Sequence, residues 1–581
     1  MRFYVNPEHE SARRHKEMRE IDADKLMNEF GPSGRFQLLC YYLCMLFNFY
    51  IATSIFQMPF IQAQPETVCI NKDTLLPVTD WYDQSVKSVP SACYIRPPPG
   101  DKQYECNEND TALVVVDTAP VNSLIYDYDL ACSHYIWREA GLSLSTIGAI
   151  FVVPFISHLS DRYGRKPLMI ITLAVSFVFN ALAAVAPWYW LFLLCRFIVG
   201  GFLDGLGTIA QIMSCEMVAQ ETRSWVGLVY TMAWVAGYLY VGLLSVITLS
   251  WRMFYILTFV PSLIAFSYFF WLPESPHWLA AHGKTKRLRE YINDAITFNN
   301  RAIDLKLCTL ESDRRETRRS YESHKDGQYR RALCKPMFFV FILINGYLMF
   351  ITQLYYFALT LTSVSMSSDP FLGFMLSGFI EIPGGLIVIP LMKYFGRKSL
   401  TIGSLVLQGA FIVGYPFAQA AGYEWLAISL NLSGKLANGV IQVVHPVLVT
   451  EMMPTKMRTM IYAVVNVPQS LGTLVAPYMK HLSFGYDWLP SVVLTVLSII
   501  GALLTLILPE TKGKPMPEDI EEMDHGPFGF FFRHKSAKVE PSRRSSKRSS
   551  KSVNEPSTAP QKTSSSVKSD GTINEKPKKI K

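Results

Sequence analysis

Several ionisable residues lie within long apolar stretches of this 581-residue sequence, among them Asp204, Glu381 and Lys435. An ionised side chain in such surroundings is energetically expensive, so it usually binds a solute, an ion or another charged group. Glu381 could attract a cation, titrate, or accept a structural hydrogen bond beside the kink expected at Pro383. Lys435 could pair with an acid, meet a carboxylate, or extend to an interface. Asp204 follows Arg196 by a little over two helical turns, so both could face a cavity or a packing network.

Aromatic residues in the same kind of stretch could bind a quaternary ammonium group by cation–π attraction. The candidates are Tyr355, Tyr356 and Phe357, with Trp234 and Tyr238 from an earlier stretch. Packing against other helices or against lipid is the alternative role for each of them.

The elements that carry these residues are predicted to be membrane-spanning helices. Half of the residues (50%) are hydrophobic, only 18% are charged, and the charges concentrate at the two ends and in one central stretch. A helix needs about 20 largely apolar residues to cross a bilayer. Spans are predicted at 36–58, 141–158, 167–187, 190–213, 225–247, 252–272, 336–361, 371–392, 400–420, 424–449, 459–480 and 488–508.

The distribution of basic residues predicts the orientation of these spans. Lysine and arginine are frequent before the first span, at 162–166, at 284–335 and in the tail. Basic loops stay on the cytoplasmic side, so both termini are predicted to be cytoplasmic. The membrane that holds the protein is predicted to be the plasma membrane. The first span is too long for a signal peptide and has no convincing cleavage site.

This orientation places the segment 59–140 outside the cell. Its four cysteines allow three pairings, and two disulfides are expected there. A zinc site is the alternative, although the segment has no C-x-x-C pair. The glycosylation motif at Asn109 fits an extracellular position. The four cysteines are Cys69, Cys93, Cys106 and Cys132.

An internal repeat relates the two halves of the sequence. The motif around Gly164 recurs around Gly396, 232 residues later. Two further motif pairs have offsets of 235 and 236 residues: Glu216 and Arg223 recur as Glu451 and Arg458, and Glu274 recurs as Glu510. Three similar offsets predict two related six-helix halves.

The motifs that carry the repeat resemble signatures of the major facilitator superfamily. They read SDRYGRK at 160–166, PESPHWL at 273–279 and PETKG at 509–513. With the Cys-rich loop, residues 30–525 resemble its organic cation, anion and carnitine transporter branch (solute carrier family 22-like). The resemblance implies an all-α membrane protein with twelve transmembrane helices in two six-helix pseudo-repeat halves, the major facilitator fold.

The resemblance also implies a gating network at the cytoplasmic helix ends. In the outward-open state Asp161 would pair with arginines and cap a neighbouring helix. A purely topological role of the basic residues is the alternative. Lys393 replaces the usual acid of the second half and Ser157 replaces a glycine of the first, so the two networks are expected to differ. The residues assigned to gating are Asp161, Arg162, Gly164, Arg165, Lys166, Glu216, Arg223, Glu274, Gly396, Arg397, Lys398, Glu451, Arg458 and Glu510.

The same resemblance places the substrate near the bilayer midplane, between the halves. Ser470 occupies the position that is aspartate in cation carriers and arginine in anion carriers of the branch, so it carries neither mark. Because Glu381 has no lysine beside it in the sequence, organic cations or zwitterions such as carnitine-like compounds are favoured. The residues assigned to substrate binding are Glu381, Tyr355, Tyr356, Lys435, Ser470 and Asp204.

The predicted function is therefore secondary or facilitative transport of small organic solutes by alternating access. An organic anion transporter, and a transport-incompetent receptor or scaffold, are the alternatives. The chain lacks the Walker, H-E-x-x-H and G-x-S-x-G motifs, so ATP hydrolysis or another enzymatic activity is not expected. No cofactor, metal or nucleic-acid partner is expected, and the sequence does not identify a coupling ion.

Five segments are predicted along the chain. The tail after about residue 526 is rich in Ser, Lys, Arg and Pro and is predicted to be disordered. The segments are the cytoplasmic 1–35, the first half 36–272 with its extracellular loop, the inter-half loop 273–335, the second half 336–508 and the cytoplasmic tail 509–581.

Overall fold

The computed structural model describes most of the helical regions of the chain. The described residues lie within one compact unit, Met1–Phe532. Asn109, Cys93, Arg223 and the tail after residue 526 lie outside the description. The described residues are 23–31, 34–62, 66–71, 94–95, 104–106, 111–117, 123–133, 135–219, 226–248, 250–301, 336–364, 369–453, 458–482, 486, 488–514, 517, 523, 524 and 526.

Helices lie at each predicted span of the first half. Apolar helices pair their backbone groups within the segment, as a bilayer requires, although the first span is interrupted at Leu46 and Gln57 and the sixth at Val260. The helices are α1 (Ala23–Phe30), α2 (Arg35–Met45), α3 (Phe47–Phe56), α4 (Met58–Ile61), α5 (Leu124–Asp127), α6 (Tyr135–Arg138), α7 (Ala140–Tyr163), α8 (Arg165–Ala184), α9 (Tyr189–Glu216), α10 (Val226–Ile247), α11 (Trp251–Phe259), α12 (Ser262–Trp271), α13 (Pro276–Ala281) and α14 (Thr285–Asn299).

The second half repeats this arrangement. One helix is interrupted immediately before Glu381, two residues ahead of Pro383, whose missing N–H leaves a carbonyl of the preceding turn without its usual partner. The helices are α15 (Pro336–Ser363), α16 (Pro370–Phe379), α17 (Glu381–Tyr394), α18 (Arg397–Ala420), α19 (Glu424–Met452), α20 (Arg458–Val475), the 3₁₀ helix Ala476–His481 and α21 (Leu489–Thr505).

Eight helices among the described residues are long and apolar enough to cross a membrane. Two shorter apolar helices, Trp251–Ser267 and Leu489–Thr505, lie at the sixth and twelfth predicted spans. The count of twelve spans remains a prediction. We call the end of the bundle at which α7 begins the loop end, because the segment 59–140 joins it, and the opposite end the network end.

Close helix packing holds α7 against α9. A methyl group at Gly148 would overlap the backbone carbonyl of Phe197, and one at Gly200 would overlap the carbonyl of Ser145. Small residues of this kind allow two helix backbones to approach closely, which is a common way to pack helices in a membrane. This crossing fixes the position of α9, which carries Asp204.

Described parts of the loop segment form two short antiparallel strand pairs. The strands β1 (Glu66–Asn71) and β4 (Thr111–Asp117) pair, as do β2 (Tyr94–Ile95) and β3 (Tyr104–Glu105). Cys69 and Cys106 form a disulfide, which selects one pairing among those that the sequence leaves open. Cys132 is also disulfide-bonded.

Candidate functional site

A cavity of about 160 Å³ lies between the two halves. The first half contributes one wall, from α10, and helices of the second half contribute the others. Glu381 and Lys435 are the two charged residues of the lining. The lining residues are Tyr230, Thr231, Trp234, Gln353, Tyr356, Ile380, Glu381, Gly384, Gly385, Lys435, Leu436, Gly439, Gln442, Val443 and Gln469.

Glu381 and Lys435 form an ion pair, with 2.8 Å between Oε1 of the carboxylate and Nζ of the lysine. The Lys435 side chain is 1% exposed, whereas that of Glu381 retains 12% exposure. No hydrogen bond to the other carboxylate oxygen, Oε2, is found among the described residues. Glu381 therefore has one oxygen held by the protein and one that is available to the cavity.

The Lys435 ammonium lies in surroundings that suit any ammonium group. It donates to the main-chain oxygen of Ser377 at 2.9 Å and to the Ser377 hydroxyl at 2.8 Å. The ammonium also lies 4.7 Å from the ring centroid of Tyr238 and 5.1 Å from that of Tyr356, within cation–π range. A carboxylate and two aromatic rings thus enclose a cation that is part of the chain itself.

Tyr356 connects this ion pair to the first half. Its hydroxyl donates to Oε1 of Glu381 at 2.8 Å and accepts a hydrogen bond from the Trp234 indole at 2.8 Å. Trp234 lies on α10 and Tyr356 on α15, so the bond crosses between the halves. A change at Glu381 can therefore be transmitted to the first half through one hydroxyl group.

Three sequence-based expectations need correction. Glu381 has no lysine beside it in the sequence, but the fold places Lys435 against it, so the missing sequence neighbour no longer favours a cation. Tyr355 is fully buried and donates to the main-chain oxygen of Gln408, away from the cavity. Adjacent positions on a helix point about 100° apart, and in this structure Tyr356 lines the cavity whereas Tyr355 does not. Ser470 is half-buried, and its neighbour Gln469 lines the cavity instead.

Sequence reasoning missed a cluster of side-chain amides in the cavity wall. Gln442 and Gln469 both donate to the Gln353 side-chain oxygen, at 3.4 Å and 3.2 Å. These residues lie on three helices, α15, α19 and α20, and no motif connects them. Their only signal was the presence of uncharged polar side chains within predicted spans.

Charged residues at the network end form two equivalent clusters. In the first half Arg165 binds Glu216 at 3.2 Å, and its main-chain N–H donates to Glu274 at 2.9 Å. In the second half Arg397 binds Glu451 at 3.1 Å, and its N–H donates to Glu510 at 2.8 Å. A carboxylate at a helix N-terminus and a guanidinium held by a second carboxylate are both stabilising.

The glycines of these motifs make room for the carboxylates. A side-chain carbon at Gly164 would collide with the Glu274 carboxylate, and one at Gly396 would collide with that of Glu510. Gly164 also has a φ of +113°, which disfavours other residues, whereas Gly396 has a φ of −74°. Space is therefore the shared reason for both glycines.

The predicted gating residues make contacts within their own halves in this structure. Asp161 pairs with Arg165 at 2.9 Å, and its side chain is 68% exposed. Arg162 lies over the Tyr163 ring, and Lys398 donates to the main-chain oxygen of Leu506. Lys166 donates its main-chain N–H to Glu274. The side chain of Arg458 lies outside the description, as does Arg223.

Comparison with known proteins identifies the family. The sequence profile of the Major Facilitator Superfamily matches residues 137–477, more than half of the chain. The chain belongs to the major facilitator superfamily. A putative transporter of Caenorhabditis elegans is 33% identical over 522 residues, covering 90% of this chain and 88% of the relative. The organic cation transporter protein of Drosophila melanogaster is 27% identical, covering 69% and 74%.

The relatives also define the branch of the superfamily. Solute carrier family 22 member 2 of Rattus norvegicus is 25% identical, covering 71% of this chain and 73% of the relative. The inward-open xylose transporter XylE of E. coli shares the fold, with a TM-score of 0.54 at 16% identity, covering 84% and 98%. This major facilitator protein is thus a multi-pass membrane transporter of the solute carrier 22-like branch, not an enzyme. The family and fold predicted from the motifs are confirmed.

At the loop end, an ionic contact joins the halves of this major facilitator protein. Glu139, next to α7, lies 2.6 Å from Lys480 Nζ and 3.2 Å from His481 Nε2. The His481 ring stacks on Tyr135 with 4.8 Å between centroids. We call Glu139, Lys480, His481 and Tyr135 the loop-end contact. It holds together the ends of α7 and α20 on one side of the cavity.

The loop-end contact should resist acidification. Burial alone would raise the pKa of the Glu139 carboxyl, but Lys480 and His481 outweigh it and hold that pKa below its ordinary value of 4.5. A lowered carboxylate pKa gives stabilisation that is complete above the ordinary value and is lost only as the pH falls through the lowered one. We therefore expect the carboxylate's contribution to persist at pH 5.

Replacing Glu139 with glutamine should favour opening at the loop end of this transporter. Both ion pairs to the second half are lost, and Lys480 is left without its buried partner. The reporter is Ser143→Cys, because Ser143 lies behind the contact and is 4% exposed. We expect an impermeant thiol reagent to label this cysteine at least about threefold faster when Glu139 is replaced by glutamine than when Glu139 is present. Asp129→Asn removes an exposed carboxylate at the same end and should leave the rate unchanged. Equal labelling rates with Glu139, with Glu139→Gln and with Asp129→Asn would contradict the view that the loop-end contact keeps this end closed.

The clusters at the network end should stabilise each half of this transporter separately. Arg165→Ala is expected to lower the free energy of unfolding by about 1–3 kcal/mol, because Glu216 loses a partly buried partner. Arg397→Ala should have a similar effect in the second half. Thermal unfolding of detergent-purified protein measures both, with the exposed Arg162→Ala as control. An equal loss in the control would show that the effect is not specific to the clusters.

Proposed function

We propose that this protein is a secondary or facilitative carrier of small organic cations or zwitterions that works by alternating access. The observation that carries the proposal is the state of Glu381. One of its carboxylate oxygens accepts no hydrogen bond from a described residue, and the side chain borders the central cavity. A carboxylate beside aromatic rings attracts an ammonium group by charge and by cation–π contact.

The occupant of the site supports the same substrate class. Lys435 places its own ammonium group between Glu381 and the rings of Tyr238 and Tyr356. A site that accepts a tethered ammonium has the chemistry to accept a free one, either at Oε2 or by displacing the lysine. The Drosophila relative named an organic cation transporter supports this choice.

A zwitterion fits the remaining polar groups. The amide cluster of Gln353, Gln442 and Gln469 lines the same cavity and offers neutral hydrogen-bonding groups to a carboxylate or hydroxyl of the solute. A carnitine-like compound would place its ammonium group at Glu381 and its polar end at these amides. An organic anion is disfavoured, because the one cationic group of the described lining already binds Glu381 and Ser377.

We place the protein in the plasma membrane, with the loop end outside the cell. The network end and both termini then face the cytoplasm. In the rocking motion, the loop-end contact would close the outer side. The two network-end clusters and Asp161 would act in gating at the inner side. Separation of the halves at one end while they join at the other gives alternating access to the cavity.

The experiment is uptake of labelled tetraethylammonium, carnitine and an aromatic carboxylate into cells that express the chain at their surface. Saturable uptake of the first two, increasing with a more negative interior potential for tetraethylammonium, is expected. Uptake of the aromatic carboxylate alone would reverse the charge preference and leave a carrier. No uptake of any compound by surface-expressed protein would overturn the proposal and favour a receptor or scaffold.

A further inference from the structure

An apolar groove with a lysine at one end lies on the first half, apart from the central cavity. It runs between α8 and α12, and α3 contributes Phe47. Lys166 is the one charged residue of the described lining. Leu173 and Ala265 lie seven residues from Lys166 and Leu272 respectively, so the groove extends about 10 Å along the two helices from the network end. The lining residues are Phe47, Lys166, Met169, Ile170, Leu173, Ala265 and Leu272.

The groove borders an exposed apolar surface of the bundle. Ile171, next to Ile170 on α8, is exposed, as are Phe270 and Trp271, which precede Leu272. Exposed apolar side chains that lie together mark a surface that contacts a membrane or another apolar partner. In a multi-pass membrane protein this partner is the hydrocarbon of the bilayer, so an acyl chain can enter the groove from the side.

The Lys166 ammonium group has no hydrogen bond or ion pair with a described residue. Glu274 accepts the main-chain N–H of Lys166 at 3.3 Å, which leaves the half-buried side chain unpaired. The equivalent lysine of the second half, Lys398, donates its ammonium group to the main-chain oxygen of Leu506 at 2.8 Å. The two halves therefore differ at this position. A half-buried ammonium group without a protein partner can bind an anionic group from outside the chain.

The N-terminal end of α14 adds positive charge beside the groove. Leu288 of α14 packs in the same buried apolar cluster as the groove residues Met169 and Leu272. Cations at the start of a helix oppose its dipole, so they are stabilised by a negative group nearby. No ion pair of these cations is found within the described part of the chain. They are Lys284, Lys286, Arg287 and Arg289, all of them exposed.

We propose that this groove binds an anionic phospholipid of the cytoplasmic leaflet. The Lys166 ammonium group donates to the lipid phosphate, one acyl chain lies between α8 and α12, and the basic start of α14 attracts the headgroup. The inference uses the proposed orientation, in which the network end faces the leaflet that contains the anionic lipids. It does not depend on which solute is carried. The bound lipid connects α8 to α12 and so stabilises the first half.

The test is thermal unfolding of the purified full chain in a neutral detergent, with phosphatidylserine added in mixed micelles. Phosphatidylserine should raise the unfolding temperature more than phosphatidylcholine does. The concentration that gives half of this rise should increase at least about fivefold in Lys166→Gln, the factor expected for loss of one basic residue near an anionic lipid. Lys166→Arg keeps the charge and should behave as the wild type. Lys398→Gln, the equivalent change in the second half, should not alter the half-effect concentration.

A second variant tests the groove itself. Ala265→Phe fills the groove and keeps the lysine, so it should also weaken the effect of phosphatidylserine; Ala265→Leu replaces it if phenylalanine prevents folding. Glycerophosphoserine, the headgroup without acyl chains, should not raise the unfolding temperature. Equal effects of the two lipids, an unchanged half-effect concentration in Lys166→Gln, or stabilisation by the headgroup alone would overturn this inference. Solute uptake is not part of the measurement, so failure of the proposed function is detected separately.

Discussion

Glu381→Gln should reduce tetraethylammonium uptake by about a hundredfold or more at equal surface expression. The substitution removes the carboxylate oxygen that faces the cavity, and it leaves the Lys435 ammonium buried without its counter-charge. A buried charge that loses its partner destabilises its site by about 3–5 kcal/mol, and here it also repels an incoming cation. Initial uptake rates at several substrate concentrations would measure the loss.

Lys435→Gln is the matched variant, and it should act in the opposite direction on affinity. Without the tethered ammonium, Glu381 and the rings of Tyr238 and Tyr356 become available to a free cation, so the KM for tetraethylammonium should fall. Ser377→Ala removes only one hydrogen-bond acceptor of Lys435 and should change the KM little. If Glu381→Gln and Lys435→Gln both abolish uptake of every solute, the pair has only a structural role.

Gly148→Val should prevent the first half from folding. A branched side chain at this position would overlap the Phe197 carbonyl, and the helix backbones of α7 and α9 would have to separate. Overpacking against a backbone atom belongs to the substitutions that destabilise by more than about 4 kcal/mol. We expect little monodisperse protein in size-exclusion chromatography of detergent-solubilised membranes.

Gly403→Val provides the comparison for this effect. Gly403 lies on α18, and a side-chain carbon at this position would have no neighbouring atom of the described residues within 4 Å. The variant carries the same chemical change in a long helix and should yield a normal elution profile. If Gly148→Val also elutes normally, the close crossing of α7 and α9 is not required for the fold.

Repetition made the network end predictable from the sequence. The glutamates that bind Arg165 are Glu216 and Glu274, and those that bind Arg397 are Glu451 and Glu510. They occupy matching positions of the two halves, and each arginine lies in the repeated glycine motif. Local sequence also identified the break before Glu381, because Pro383 follows it closely. Features that lie within one helix, or in a motif that occurs twice, could be predicted from the sequence alone.

The pairing of Glu381 with Lys435 could not be predicted in the same way. The two residues are 54 positions apart on different helices, and each had several possible partners. The rotation of α15 likewise decides between Tyr355 and Tyr356, and that rotation is set by packing against other helices. The amide cluster of Gln353, Gln442 and Gln469 has no motif, so only tertiary structure brings it together.

The ion pair has a consequence for the speed of turnover. Glu381 and Lys435 both belong to the second half, so in the proposed rocking motion they travel together and their attraction does not enter the activation barrier. The motion instead has to break the Glu139 ion pairs of the loop-end contact, the hydrogen bond between Trp234 and Tyr356, and the contact of the Tyr238 ring with Lys435. A neutral hydrogen bond contributes only about 0.5–1.5 kcal/mol. The central charges can therefore remain buried through a cycle in which the ion pairs that break lie at the loop end and not in the cavity.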